Sequence, residues 1–316
     1  MTVAGSDLPS IHVVLATRDR GALPVRAVES VLANRYPRFA VTVVDQSSDG
    51  ATEAAVEPFL FDPRLRYRRS RTIGLARAQN LAIADIEAEI VALTDDDCEV
   101  PSDWLARVAD AFAGEERLAL VFGEVRAGPH DPEAGFVPAY LRAGPFLARD
   151  PGKKWGIDGI GACMGVRRDA WRKLGGFDER LGPGSPFLAA LEGDFALRAL
   201  AAGWYVLETP EIRVVHYGFR SHREGRELIR GYAYGTGAMI AKHVRCRTPK
   251  AEILLAHMAL RWVRGSVHSA ARLPGSRHRW LRLNAFLRGF LAGAAAPLDP
   301  VTRRFAEGVP PSGTPS

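Results

Sequence analysis

The sequence predicts an α/β fold with a mostly parallel central sheet and a helical extension at its C-terminal end. Three observations carry that prediction. Short, almost continuous apolar runs alternate with segments whose apolar residues recur at helical spacing. This is the pattern of strands buried on both faces and joined by crossover helices. Polar or acidic residues directly follow the early runs, and beyond residue 220 the alternation gives way to helical spacing alone.

Ile11 to Ala16 is the first strand, broken by Thr17-Arg18-Asp19-Arg20-Gly21. Leu23, Ala27, Val28, Val31 and Leu32 mark a helix that Tyr36-Pro37 ends. Residues 40–44 form a second strand that runs into the polar turn Asp45 to Gly50, and residues 51–60 read as a helix. Leu65-Arg66-Tyr67 is a weak third strand, Leu75 to Ala84 a helix, and residues 89–93 a fourth strand leading into Asp95-Asp96-Asp97. Pro101 to Ala113 is helical, with Ser102 as N-cap and Trp104, Leu105, Val108 and Phe112 as its apolar face. Residues 119–123 are a strand. The Gly- and Pro-rich stretch 127–160 reads as loops around a cleft. Helices at 170–174 and 191–202 and strands at 205–207 and 213–215 follow. Beyond His222 the chain is helical almost to Leu298, with breaks near Thr248-Pro249 and Pro274-Gly275. The expected organisation is a catalytic domain over 10–220, a helical region over 221–300, and a disordered tail over 301–316.

The 316 residues are 47% hydrophobic, enough for a sizeable core. Lys plus Arg number 42 against 36 Asp plus Glu, a formal charge of +6. The basic excess is concentrated between Arg220 and Arg304. It suits phosphate groups or an anionic membrane surface, or else is a solvated face. Residues 251–264 and 279–293 combine apolar and basic faces, as suits a membrane-surface helix or packing on the catalytic domain or on another subunit. Three widely spaced cysteines lack a CxxC pair, so neither a zinc site nor a disulfide framework is suggested. No signal peptide and no apolar run near 20 residues is seen. The expectation is a cytoplasmic protein that at most rests on the inner face of the cell membrane. Basic residues without interleaved stacking aromatics speak against a nucleic-acid role.

Parallel sheets bind ligands outside the carboxyl ends of their strands. Thr17 and Asp19, Asp45, and Asp95 to Asp97 all fall there. Three adjacent carboxylates repel one another, and a hard divalent cation offsets that cost with oxygen ligands. At a turn, Asp95 and Asp97 can face the same side. The alternative is a solvated acidic turn that caps the next helix.

The ordered blocks resemble the inverting family-2 glycosyltransferases of the GT-A fold over residues 10–220. The blocks are residues 11–20; Ser30 to Gly50; Gly74-Leu75-Ala76-Arg77-Ala78-Gln79-Asn80; Leu93-Thr94-Asp95-Asp96-Asp97; and Gly175-Gly176-Phe177-Asp178-Glu179-Arg180-Leu181-Gly182. The resemblance implies a nucleotide-diphosphate sugar donor, a hydroxyl acceptor such as a glycan, a lipid-linked carrier or a small molecule, and a Mg²⁺ or Mn²⁺ cofactor. It further implies a place in cell-envelope polysaccharide synthesis. Thr17 and Asp45 would meet the nucleobase, Arg77 the diphosphate, and Asp95 the ribose. Asp96 would complete the donor site, and Asp97 with His216 would hold the metal. Trp155 and Asp158 would fall in the acceptor loop. Each has a plainer alternative: Asp45 as a turn residue, Arg77 as a surface cation, His216 and Trp155 as core.

One block departs from the family. Inversion needs a carboxylate to take the acceptor proton, and the family places an adjacent Glu-Asp pair there. Here the stretch is Leu191-Glu192-Gly193-Asp194-Phe195. Counting back from Ala196-Leu197-Arg198 puts Glu192 at the catalytic position and Asp194 at a second acid. Glu192 is favoured as base, with Asp194 the alternative. The departure leaves open a weakened or non-catalytic relative that binds sugar nucleotide or a partner. A nucleotidyltransferase is disfavoured because no Gly-rich phosphate loop follows residues 11–16. No Gln-x-x-Arg-Trp motif or multi-span segment suggests a processive synthase.

Overall fold

The computed structural model describes residues 8–254, 256 and 276–306. Strand β1 (Ile11–Thr17) lies between β2 (Phe39–Asp45) and β4 (Ile90–Asp95), parallel to both, and β3 (Leu65–Arg69) extends the sheet beyond β2. On the other side of β4 come β9 (Met164–Arg167), β6 (Leu118–Ala127) and β10 (Tyr205–His216). The six longest strands run one way. The short β9, β5 (Cys98–Glu99) and β8 (Phe146–Ala148) run the other, while β7 (Gly135–Phe136) pairs with Arg220–Ser221 outside this sheet. The sheet is therefore mostly parallel, as expected.

Strand residues alternate faces, and the two faces are covered differently. Val13 and Leu15 pack with α1 (Val25–Leu32) and α4 (Trp104–Ala113). Val14 and Leu93 pack with α3 (Leu75–Ala84) and α6 (Leu191–Ala201) through Ala78, Ile83 and Phe195. The remaining helices of the catalytic region are α2 (Ala51–Val56) and α5 (Arg168–Lys173).

Three details differ from the sequence reading. The two late strands are one, β10, with a register shift between Glu208 and Arg213. Thr209-Pro210 interrupts the apolar alternation there, and a bulge is where a strand accepts proline. Strand β9 went unrecognised because it is four residues long and contains Gly165. Helix α4 starts at Trp104 with Asp103 at the cap position and no side-chain cap bond; the Ser102 hydroxyl instead accepts from Arg35.

Helix α7 (His222–Arg245) opens with a capping box between Ser221 and Glu224. Helix α8 (Ser276–Ala295) runs alongside it in the same direction. Gly289 sits against the Tyr234 backbone and Gly293 against Ala238, where any side chain would collide. Most of the expected helical stretch 251–264 lies outside the described residues. The boundary expected at 301 moves: Arg304–Phe305 pairs with Leu298–Asp299, and Phe305 is buried against Phe187. Residues 307–316 lie outside the described residues.

Candidate active site

Sheet register brings the strand ends together. Thr17 lies opposite Asp45, and Ala16 opposite Asp95. The ribbon after Asp95 turns back as β5 and pairs with the end of β10, so that Cys98 faces His216. A cleft of about 630 Å³ opens over these ends, a size suited to a small-molecule ligand. Thr17, Asp95, Asp96, Asp97, Asp158, Glu192 and His216 line it together.

The acids are held by different partners. The Thr17 hydroxyl donates to Asp96 Oδ2 at 2.7 Å. Arg20 stands 3.6 Å from Asp96 and 3.8 Å from Asp97. Asp97 Oδ1 lies 3.0 Å from His216 Nε2. His216 Nδ1 lies 2.9 Å from the Pro138 carbonyl, to which it donates, and this leaves Nε2 aimed at the acids. Burial raises the pKa of Asp95 to about 7, helped by the neighbouring Asp97 charge. Burial also raises Asp96. Burial opposes ionisation of Asp97 as well, but His216 and Arg20 outweigh it and the carboxyl titrates below its ordinary range. Asp97 in turn raises His216 against the effect of burial.

Gly218, overlooked in the sequence, sits where a Cβ would collide with Asp97 Oδ2 and stand 2.5 Å from His216 Nε2. Its bare backbone keeps a small cradle open between carboxylate and imidazole. A carboxylate, an imidazole oriented by a backbone carbonyl, and room between them fit a divalent cation. Buried Cys98 completes a compact Asp97–Cys98–His216 group. Burial and the charges of Asp95 and Asp97 keep its thiol well above the usual range.

The two candidate base residues separate cleanly. Glu192 faces the cleft, its carboxylate accepting from its own and the Gly161 main-chain N–H, and burial raises its pKa. Asp194 is fully buried away from the cleft. It lies 2.6 Å from Lys242 Nζ, 2.9 Å from Arg198 Nε and 2.8 Å from His243 Nε2. Lys242 also pairs with Asp178 at 2.6 Å. The acids of two sequence blocks are thereby tied to α7. The Asp158 N–H donates to buried Glu208 Oε1 at 2.8 Å, and Glu208 also pairs with Arg142. These bonds fix the loop that carries Asp158. Trp155 lies in the turn Pro151–Gly156, with its side chain outside the described atoms.

Asp45 and Arg77 do not reach the cleft wall. Asp45 is fully buried; it accepts from Ser47 N at 2.8 Å and from the Tyr67 hydroxyl. The adjacent Gln46 lines the cleft instead. Arg77 meets Glu179 at 3.5 Å. Asn80 of the same block joins α3 to the Gly175–Gly182 block through the Phe177 backbone and Glu179. Arg20 was visible only as part of a broken turn. Leu228, Tyr232 and Thr236, at successive i+4 positions of α7, form a wall of the cleft, and no local signal places that helix there.

A sheet whose parallel strands end in an acid-lined cleft places its ligand at those carboxyl ends. A profile of glycosyl transferase family 2 matches residues 12–175. The chain belongs to that family, and the fold is GT-A. It is 27% identical over 233 residues to the O-antigen biosynthesis protein RfbC of Myxococcus xanthus, covering 68% of this chain and 18% of that protein. It is 26% identical over 250 residues to an N-acetylglucosaminyl-diphospho-decaprenol L-rhamnosyltransferase of Mycobacterium tuberculosis, covering 69% of this chain and 78% of that enzyme. The chain thus spans about a fifth of the first of these relatives. Among solved structures, it resembles the mannosyltransferase PcManGT of Pyrobaculum calidifontis in complex with GDP-Man and Mn²⁺. The TM-score is 0.61 at 20% identity, over 92% of this chain and 88% of that one. It also resembles TarS 1-349 of S. aureus, with a TM-score of 0.54 at 16% identity over 90% and 82% of the two chains. Among the described residues, no helix is long and apolar enough to cross a membrane.

Proposed function

We propose that this protein is an inverting transferase that moves a sugar from a nucleotide-diphosphate donor to a hydroxyl acceptor. One observation carries the reading: Glu192, with its raised pKa, shares a cleft with Asp95, Asp96, Asp97 and His216. Thr17 and Gln46 border the nucleotide end. Asp97 and His216 would hold a Mg²⁺ or Mn²⁺ ion, which supplies counter-charge for the departing nucleoside diphosphate. Arg20 and Arg220, both on the cleft wall, would add positive charge from the protein itself. The Glu192 carboxylate, oriented by the Gly161 N–H, takes the acceptor proton. Its raised pKa makes it a better base near neutral pH than an ordinary carboxylate. Asp194, enclosed by Lys242, Arg198 and His243, holds the helix that carries Glu192.

The acceptor reaches the Glu192 end between the 158–161 loop and the α7 wall. The mycobacterial relative, named for a lipid-linked acceptor, supports a similar acceptor here and a place in cell-envelope polysaccharide synthesis. The missing Glu-Asp pair favours, as a second reading, a relative that binds sugar nucleotide without turning it over. Donor hydrolysis across a panel of nucleotide sugars with Mn²⁺, wild type against Glu192→Gln, separates the two. Turnover in the wild type that falls about 10²–10⁴-fold in the variant is expected. Mn²⁺-dependent nucleotide binding with no turnover for any donor would establish the binding-only reading.

A further inference from the structure

Helix α8 buries one face and leaves the other bare. Phe286, Gly289 and Gly293 meet α7. Trp280, Leu287 and Leu291 lie seven and four residues apart on the opposite side, 71%, 51% and 67% exposed. Three large apolar side chains in one exposed stripe exceed the scattered exposure of an ordinary surface. Helix α8 itself carries charge of a single sign. Residues 276–295 contain four arginines and no acidic residue; Arg288 is exposed beside the stripe, and Arg282 is exposed in line with the residues that face α7. Arg226 and Arg230 of α7 are exposed as well. They precede Gly237, which packs on α8, by eleven and seven residues, so they lie on the same side of α7 as α8.

We propose that this outer face of α8 docks on an anionic lipid membrane surface. An apolar stripe with tryptophan, on a helix whose charges are all arginine, matches a helix lying in the plane of the bilayer interface. The arginines meet the negative surface potential of acidic lipids. A second copy of the chain is the poorer occupant, because it would set the same unneutralised arginines against one another. The proposal concerns a surface separate from the cleft and stands whether or not the sugar-transfer reading holds.

Flotation of the full chain with phosphatidylcholine–phosphatidylglycerol vesicles, against pure phosphatidylcholine, tests it. The wild type should float with the anionic vesicles and be partly released by high salt. Arg288→Gln should weaken partitioning roughly fivefold, from about a kilocalorie per arginine at the surface. Leu287→Glu with Leu291→Glu, at exposed positions, should leave the protein in the soluble fraction with an unchanged melting temperature. Equal flotation of wild type and the Leu variant would overturn the proposal, as would no flotation of the wild type. It also fails if light scattering shows a wild-type dimer that the Leu variant abolishes.

Discussion

Replacing Lys242 with Met tests whether α7 belongs to the catalytic unit. The ammonium bridges Asp178 and Asp194, at 2.6 Å from each, and all three side chains are fully buried. Arg198 supplies Asp194 with a second cation. Burial lowers the pKa of His243, so it sits neutral between Asp194 and Thr248. Two carboxylates therefore face two cations. Met preserves the apolar stem and deletes the charge, leaving one uncompensated negative charge without water. Removing one partner of a buried pair costs about 3–5 kcal/mol. Asp194 keeps Arg198, and Asp178 keeps the Phe305 and Arg180 N–H groups, so the lower end, about 3 kcal/mol, is expected. Urea unfolding at neutral pH, followed by circular dichroism and fluorescence, measures it. Adding Asp178→Asn to the variant restores the charge balance and should recover most of the loss. The pH dependence has a definite sign. Burial would raise Asp194, but Lys242 and Arg198 overcome it and depress the folded carboxyl. That contribution is present above the ordinary carboxylate pKa and is lost as pH falls through the depressed value. The gap between wild type and variant should therefore narrow on acidification. A loss under about 1 kcal/mol, or a double variant no more stable than the single, would refute the reasoning.

Gly218→Ala should abolish the Mn²⁺-induced rise in melting temperature, because the methyl fills the space between Asp97 and His216; an unchanged rise would show that these residues do not hold the ion. His216→Ala should weaken Mn²⁺ binding at least about tenfold by titration calorimetry. Gly161→Ala places a Cβ 2.5 Å from Glu192 Oε1. It should lower kcat at least about tenfold with nucleotide binding intact; unaltered kcat would remove Glu192 from the reaction. Burial raises Glu192 above its ordinary value of 4.5, and a base must be ionised, so kcat/KM should fall as pH drops through that raised value. A profile flat across the mildly acidic range would assign the proton to another group.

The order of strands and helices was legible because each element has its own period, and burial on both faces of a parallel sheet leaves a nearly unbroken apolar run. The acidic edge was legible for the same reason. Once Ile11–Thr17, Phe39–Asp45 and Ile90–Asp95 are parallel neighbours, their ends must coincide. The short β9 left no period to read, and the bulge at Pro210 made one strand look like two. Gly218 has no side chain to announce a role; its importance lies in the atoms that surround it. Asp45 and Gln46 are adjacent in sequence but point to opposite faces of the chain, and burial turned the carboxylate inward.

By itself, then, the sequence determined the α/β class, the shared edge on which its acids gather, and two acids, Glu192 and Asp194, as candidates for the base. Only the tertiary structure gives those two different surroundings. Glu192 and Asp194 are two positions apart on α6, so their side chains diverge by about 200°. Helix α7, anchored by Lys242 and His243, encloses Asp194 and leaves Glu192 facing the cleft. That difference depends on a contact between residues about fifty positions apart, which no local period or propensity encodes.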